Sequence, residues 1–295
     1  MTDVAARLGV IGGSGLYQME DLTDIEERHV DTPFGSPSDA ITIGTLGGQR
    51  VAFLPRHGRG HRLAPAQVPY RANIWALRSL GVERVIAVSA VGSMREAVAP
   101  LDLVVPDQLF DRTTDRSRTF FDAEAGCAAH VSLAEPFCPA TSAALHGAAS
   151  APAVGATVHR GGTYICIEGP QFSTRGESRV FRQWGMDIIG MTAFPEARLA
   201  REAELCYAML ALVTDYDVWH EEEAAVTVQA VVERLHHNAT AAQATLRALV
   251  PLLAAIGACD CRSALQYAII TDPASIPAAT RKRLELLIGR YLPSV

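Results

Sequence analysis

Short apolar runs recur along this chain, and most stop at glycines, hydroxyls or aspartates. The clearest is Arg84-Val85-Ile86-Ala87-Val88, which is apolar without alternation after its first residue. A continuous β-branched run suits a strand covered on both faces, as in a parallel sheet flanked by helices. Residues 7–11, 101–105, 164–167, 187–189 and 208–213 read as further strands. Residues 40–45 and 50–54, joined through Gly47-Gly48, read as a hairpin. Helical spacings lie between them. One runs from Val68 to Leu80, with Pro69 near its start and Gly81 past its end. Others run from Pro195 to Tyr207, from Thr227 to Ala255 with an interruption near Pro251, and from Ala278 to Tyr291. Residues 140–156 read as a helix plus turn. This alternation predicts one α/β domain over residues 1–295, built on a central mixed, mostly parallel sheet flanked by helices.

Composition narrows the class. The 295 residues are 49% apolar and 20% charged, with 26 Lys and Arg against 32 Asp and Glu, a net charge of −6. That excludes disorder, collagen and small disulfide scaffolds. An acidic chain is a poor general binder of nucleic acid. No apolar run reaches the roughly 18–20 residues of a membrane helix. The first residues lack a basic patch followed by an apolar core, so a cytoplasmic location without membrane attachment is expected. Six cysteines are then expected as reduced thiols. Cys259-Asp260-Cys261 lacks the spacing of a thioredoxin-like pair and reads either as a bridging pair or as two ordinary cysteines on a helix-end loop. No second Cys/His cluster in the sequence completes a zinc site, so no metal is expected.

Ligands in open α/β sheets bind beyond the carboxyl ends of strands, and the strand ends here are alike. The first ends at Gly12-Gly13-Ser14-Gly15, the hairpin at Pro55-Arg56-His57-Gly58-Arg59-Gly60-His61-Arg62, and the third at Ser89-Ala90-Val91-Gly92-Ser93. Later ones end at Glu168-Gly169-Pro170-Gln171-Phe172-Ser173, Met191-Thr192 and Thr214-Asp215-Tyr216-Asp217. The glycine turn frees backbone N–H groups for an anion, or simply packs. It lacks the third glycine of a dinucleotide fingerprint, which counts against a nicotinamide-dependent oxidoreductase. Three arginines and two histidines in residues 56–62 suit an anion, because arginine presents a fork that matches phosphate oxygens. The alternative is a solvated basic loop. Strand alternation points Asp215 and Asp217 the same way. Neighbouring carboxyls resist joint ionisation and can hold a proton near neutral pH.

Together, Val10-Ile11-Gly12-Gly13-Ser14-Gly15-Leu16, Pro55-Arg56-His57-Gly58-Arg59, Tyr70-Arg71-Ala72-Asn73-Ile74-Trp75, Ser89-Ala90-Val91-Gly92-Ser93, Ala134-Glu135-Pro136-Phe137-Cys138, Ile167-Glu168-Gly169-Pro170-Gln171-Phe172-Ser173 and Met191-Thr192 resemble the trimeric purine nucleoside phosphorylase and methylthioadenosine phosphorylase family. Thr214-Asp215-Tyr216-Asp217-Val218-Trp219 resembles its methylthioadenosine branch. The resemblance runs from about Leu8 to about Val250. It implies phosphorolysis of 5′-methylthioadenosine to adenine and 5-methylthioribose 1-phosphate, with inorganic phosphate as co-substrate and no metal or organic cofactor. It implies phosphate contacts from Ser14, Arg56, His57, Ser89, Ala90 and Thr192. Met191 is then expected against the ribose, Phe172 on the purine, and Asp215 and Asp217 at the base edge as catalytic residues. Ser173 and Val228 are expected to set specificity around the 5′ end. His130 is expected to reach a neighbouring subunit's pocket in a homotrimer. Ser14 and Ser89 stand where threonine is common, and Gln171 stands where arginine is frequent. The rival readings are a 6-oxopurine or methylthioinosine phosphorylase, expected to carry an amide in place of an aspartate, and a non-catalytic purine-binding protein.

Overall fold

A computed structural model describes residues 4–220 and 228–293. The strands are β1 (Leu8–Gly12), β2 (Thr23–Arg28), β3 (Ile41–Leu46), β4 (Gln49–Pro55), β5 (Arg84–Ser93), β6 (Leu103–Val105), β7 (Gln108–Arg112), β8 (Val158–Arg160), β9 (Thr163–Ile167), β10 (Ile188–Gly190) and β11 (Cys206–Asp215). The α-helices are α1 (Tyr70–Ser79), α2 (Pro139–Ala149), α3 (Arg175–Gln183), α4 (Ala193–Glu202), α5 (Val228–Ala254), α6 (Ala278–Arg283) and α7 (Glu285–Ile288). All strands join one mixed sheet with the path β2-β3-β4-β1-β5-β10-β9-β7, while β11 pairs with β5 and β6. β4, β1, β5 and β11 run parallel, so their carboxyl ends emerge on one side.

The continuous apolar runs fill these central strands. Every residue of β1 is buried, as is β11 up to Thr214. Two large apolar cores lie against the sheet, one holding Ile74, Leu77, Leu199 and Met209, the other Leu145, Leu246, Leu249 and Leu210. Helices α1 and α4 pack together, and α2 packs with α5, so both faces are covered as a doubly buried strand requires.

Four expectations need correction. The helix expected through Tyr207 ends at Glu202, and Glu204 takes a left-handed φ of 56°. The apolar Cys206–Val213 run gains more by entering the sheet than a helical continuation could offer. The interruption expected at Pro251 does not occur. Proline stands in the last turn of α5, where few downstream hydrogen bonds remain to be lost. The helix expected over 278–291 breaks at Leu284 (φ −103°, ψ 10°), which is fully buried together with Leu287 and Ile288. The third strand continues four residues beyond Ser89, to Ser93, so Ser89 and Ala90 lie within β5 and not past its end. Exposed β2, the half-exposed β7 and the short β8 carry too little apolar periodicity to be read from sequence, whereas α3 is strongly amphipathic but mostly polar, with only Ser178 and Phe181 buried. None of the described helices is long and apolar enough to cross a membrane.

Candidate active site

The site begins where buried strands open. β5 is buried from Arg84 to Val88 and again from Val91 to Ser93, but Ser89 and Ala90 between them are half-buried. β10 runs antiparallel to β5 and pairs Ile188 with Ser93 and Ile189 with Gly92. Continuing that register puts Thr192 opposite Ser89, and their hydroxyls lie 3.1 Å apart. β10, with its parallel neighbour β9, therefore reaches the site from the opposite direction to β4, β1, β5 and β11. At the end of β1, a side chain added at Gly13 or Gly15 would meet no atom within 4 Å. Gly13 has an ordinary φ of −77°. These glycines leave room and are not there to permit a left-handed turn.

The basic loop divides by role. His57 Nδ1 lies 2.8 Å from the Leu63 carbonyl oxygen. A carbonyl only accepts, so Nδ1 carries the hydrogen and Nε2 is left as an acceptor. Burial, and then the neighbouring Arg56 cation, lower the His57 pKa to about 4, so the ring is neutral at pH 7. A neutral ring can accept the proton of a phosphate hydroxyl. Arg56 departs from its expected geometry. Its side chain is buried, and Nε and Nη2 each lie 2.9 Å from the Glu196 carboxylate in a bidentate pair. Nη1 donates to Val88 O at 2.9 Å and Nη2 to Ile11 O at 3.3 Å. These bonds leave one of five guanidinium N–H groups for an anion. The fork grips Glu196 and ties the end of β1 to the middle of β5, one residue before Gly12 and Ser89. Arg59 pairs with Glu27, and Arg62 donates to Ser38 O, so neither is a bare solvated cation.

The second pole lies further along β5. The β5–β11 register slips between Val213, paired with Val91, and Asp215, paired with Gly92, so Thr214 is the bulged, unpaired residue. Bulges re-aim the side chains next to them. The Thr214 hydroxyl donates to Asp215 Oδ2 at 2.7 Å, and the Asp217 N–H donates to Asp215 Oδ1 at 2.8 Å. Asp217 lies beyond the strand with a left-handed φ of 52°. Strand alternation therefore does not bring the two aspartates together, as expected; the turn does. Asp217 is buried, and its Oδ2 has no hydrogen-bond partner among the described residues. The Ser173 and Ser178 hydroxyls lie beside it, also buried and without a partner in hydrogen-bond geometry. Burial, reinforced by the Asp215 charge, raises the Asp217 pKa to about 6. Burial raises Asp215 as well, against the hydrogen bonds from Thr214 and Asp217.

Gly92 makes this packing possible. A Cβ there would stand 2.8 Å from Asp215 Oδ1 and 3.0 Å from Ile189 Cγ2. Gly92→Ala is expected to displace the Asp215 carboxylate and lower kcat/KM at least ten-fold, leaving the circular dichroism spectrum unchanged. Wild-type kinetics in that variant would show that Asp215 need not sit where it does.

Three residues of extended chain separate Ser89 from Gly92, or about 10 Å. Met191 stands between the two poles, half-buried, and its sulfur packs so near Gly169 that a Cβ there would lie 2.5 Å away. The loop after β9 is fixed by a residue not predicted from sequence. Arg116, whose side chain is fully buried, pairs with Glu168 at 3.0 Å and donates to the carbonyls of Met191, Phe194, Ile167 and Glu168. Nothing in local sequence distinguishes Arg116 from a surface arginine. Thr174 and Glu177 form a capping box that starts α3 right after Ser173, a signal that the spacing of threonine and glutamate carries in the sequence itself. Phe172 is 39% exposed, a ring without a full cover. The Ser14 and Val228 side chains fall outside the described residues. His130 is exposed, and its backbone N–H is held by Ala268 O at 2.8 Å. A hollow of about 330 Å³ lined by Arg7, Arg50, Arg84 and Val250 lies at the opposite ends of the strands and contains none of these groups.

Residues 7–251 match the phosphorylase superfamily. The chain belongs to that family. The match coincides closely with the 8–250 span of the sequence resemblance. The chain is 55% identical to S-methyl-5′-thioadenosine phosphorylase of Gloeobacter violaceus, over 97% of this chain and 96% of that one. It is 54% identical to the enzyme of the same name from Geobacter sulfurreducens, over 97% and 99%. Among solved structures, a methylthioadenosine phosphorylase from an antarctic soil metagenomic library superposes with a TM-score of 0.92 at 49% identity, covering 97% of this chain and 99% of that one. Methylthioadenosine phosphorylase of Schistosoma mansoni in complex with adenine superposes with a TM-score of 0.79 at 38% identity, covering 85% and 92%. These phosphorylases thus share the fold and roughly half of the aligned sequence with this chain.

Proposed function

We propose that this phosphorylase cleaves 5′-methylthioadenosine with inorganic phosphate, releasing adenine and 5-methylthioribose 1-phosphate. The observation that carries the reading is the pairing of an anion-suited hydroxyl pole with a proton-holding carboxyl pole about 10 Å away along one strand. Phosphate sits at Ser89, Thr192, His57 and the Ala90 backbone, beside the glycine turn and Ser14. Hydroxyls and N–H groups orient one oxygen toward the anomeric carbon, while positive charge develops on the sugar. Met191 lies along the ribose and Phe172 covers the base. The Asp215–Asp217 pair supplies a proton to N7 of the leaving base and accepts from its 6-amino group. The unpartnered Asp217 Oδ2, with Ser173 and Ser178 at its side, is the buried polar group that such a base satisfies. Val228 shapes the 5′ pocket, while Ser173, expected there from sequence, stands beside Asp217 at the base. Inorganic phosphate is consumed as co-substrate, and the chemistry calls for no metal.

The test is product analysis. Adenine release from 5′-methylthioadenosine is expected to require phosphate and to match 5-methylthioribose 1-phosphate one for one. Release without phosphate would make the chain a hydrolase. Tight binding of adenine without any release would favour the non-catalytic reading.

The subunit arrangement belongs to the same proposal. Tyr267 is 89% exposed and Ile270 65% exposed, although both flank backbone bonds that pin this segment to Ala128 and His130. An ordered apolar surface beside His130 suits a subunit contact that carries His130 to a neighbour's 5′ pocket. A homotrimer is expected, with a sedimentation mass about three times the 31.6 kDa of the chain. A monomeric mass would remove His130 from the site.

A further inference from the structure

Four of the six cysteines meet far from the proposed active site. Cys206 opens β11 and Asp215 closes it, so the cluster lies about 30 Å from the aspartates. Cys138 stands immediately before α2, with its N–H held by Tyr207 O at 2.7 Å. Cys206 donates its N–H to Glu83 O at 3.0 Å. Cys259 and Cys261 come from the loop after α5. The four Sγ atoms all lie within 4.8 Å of one another, and only Cys259 is not buried. Three segments distant in sequence therefore complete the cluster that the isolated Cys259-Asp260-Cys261 could not.

The spacing distinguishes two chemistries. Sulfurs bound tetrahedrally at about 2.3 Å from one ion stand about 3.8 Å apart, whereas a disulfide needs about 2.05 Å. All six cysteines are free thiols, and Cys138 Sγ lies 3.5 Å from Cys259 Sγ. The donor set is all sulfur, which selects zinc over hard cations such as calcium or magnesium. A second layer is built around it. The Thr141 hydroxyl donates to Cys138 Sγ at 3.3 Å, and Arg84 Nη1 donates in turn to Thr141 at 3.3 Å. Arg84 Nη2 also holds the carbonyls of Ile256 and Gly257, at 3.0 and 3.1 Å, just before the cysteine loop. This cation offsets part of the charge that four thiolates bring. We propose that Cys138, Cys206, Cys259 and Cys261 bind one zinc ion as a closed structural tetrathiolate, fixing the segment after α5 to α2 and β11. Binding forms four zinc–sulfur bonds and releases four thiol protons.

Metal content of the purified chain tests this. Plasma mass spectrometry after equilibration with zinc and gel filtration is expected to give about one zinc per chain. The Cys259→Ser/Cys261→Ser variant is expected to fall near zero, and Cys127→Ser, outside the cluster, to keep its zinc. Should the double variant fail to fold, the wild-type chain titrated with cobalt answers instead. Intense visible bands of a tetrahedral cobalt thiolate, saturating at one ion per chain, are the expected result. Zinc retained by the folded double variant overturns the proposal, and so does a wild-type chain that takes up neither ion. Alkylation under denaturing, non-reducing conditions with chelator is expected to label all six thiols. Labelling of only two would show two disulfides and also overturn it.

Discussion

Asp217→Asn is expected to lower kcat/KM for 5′-methylthioadenosine about 100-fold or more while making the protein more stable at pH 7. Loss of a general acid costs about 10²–10⁴ in rate, and asparagine tolerates the left-handed backbone at this position. The stability gain follows from burial. Asp217 titrates near 6 in the folded chain against 3.8 as its ordinary value. Below pH 4 it is protonated in both states and costs nothing. Between pH 4 and 6 the folded state keeps the proton and the unfolded state loses it, so wild-type stability declines as pH rises. Above pH 6 the full cost of the buried charge remains, on the order of 3 kcal/mol. The amide carries no such charge, so Asp217→Asn should lose that decline and gain roughly 5 °C in Tm at pH 7. Thermal melts from pH 4 to 8, with kinetics at each pH, check both halves. A variant as active as wild type would remove Asp217 from the chemistry. An unchanged melting profile would mean that its charge is not buried.

Arg56→Ala is expected to act on the fold and on phosphate at once. The guanidinium is shared between Glu196, the end of β1 and the middle of β5, and removing it leaves Glu196 buried with, among the described residues, only the Tyr207 hydroxyl, 2.8 Å away. Breaking one side of such a pair costs about 3–5 kcal/mol. Glu196→Gln should share the defect, raising the KM for phosphate through Arg56 although Glu196 is not itself assigned to the anion. Denaturant unfolding beside phosphate saturation curves separates the accounts. Wild-type stability with a raised phosphate KM would mean that Arg56 serves the anion directly with a free fork.

Both variants bear on what could be read from residues alone. The doubly buried strands were legible because β-branched runs without alternation admit few other fates. Ser89 and Thr192 were read as hydroxyls on one rim, and they do meet, although Ser89 lies within β5 and not at its end. Their meeting, however, depends on an antiparallel neighbour that the parallel pattern did not suggest. Asp215 and Asp217 were found, but for the wrong geometric reason: a bulge at Thr214 and a left-handed turn bring them together. Arg56 was assigned to phosphate, yet its fork grips Glu196, which lies 140 positions later and is invisible in sequence as its partner. Arg116 escaped altogether, since burial of a charge by tertiary contacts leaves no local trace. The cysteine cluster was hidden likewise, its members being distributed over more than a hundred residues.

The central claim is that two carboxyls hold the base edge. Initial rates of phosphate-dependent base release from 5′-methylthioadenosine and from 5′-methylthioinosine, measured side by side on the wild-type protein, test it most directly. A 6-oxo group faces its acceptor oxygen toward a carboxylate and leaves polar groups unpaired, at about 1–3 kcal/mol. The adenosine analogue should therefore be preferred by roughly ten- to a hundred-fold in kcat/KM. Equal rates, or preference for the inosine analogue, would contradict the placement of Asp215 and Asp217 at the base.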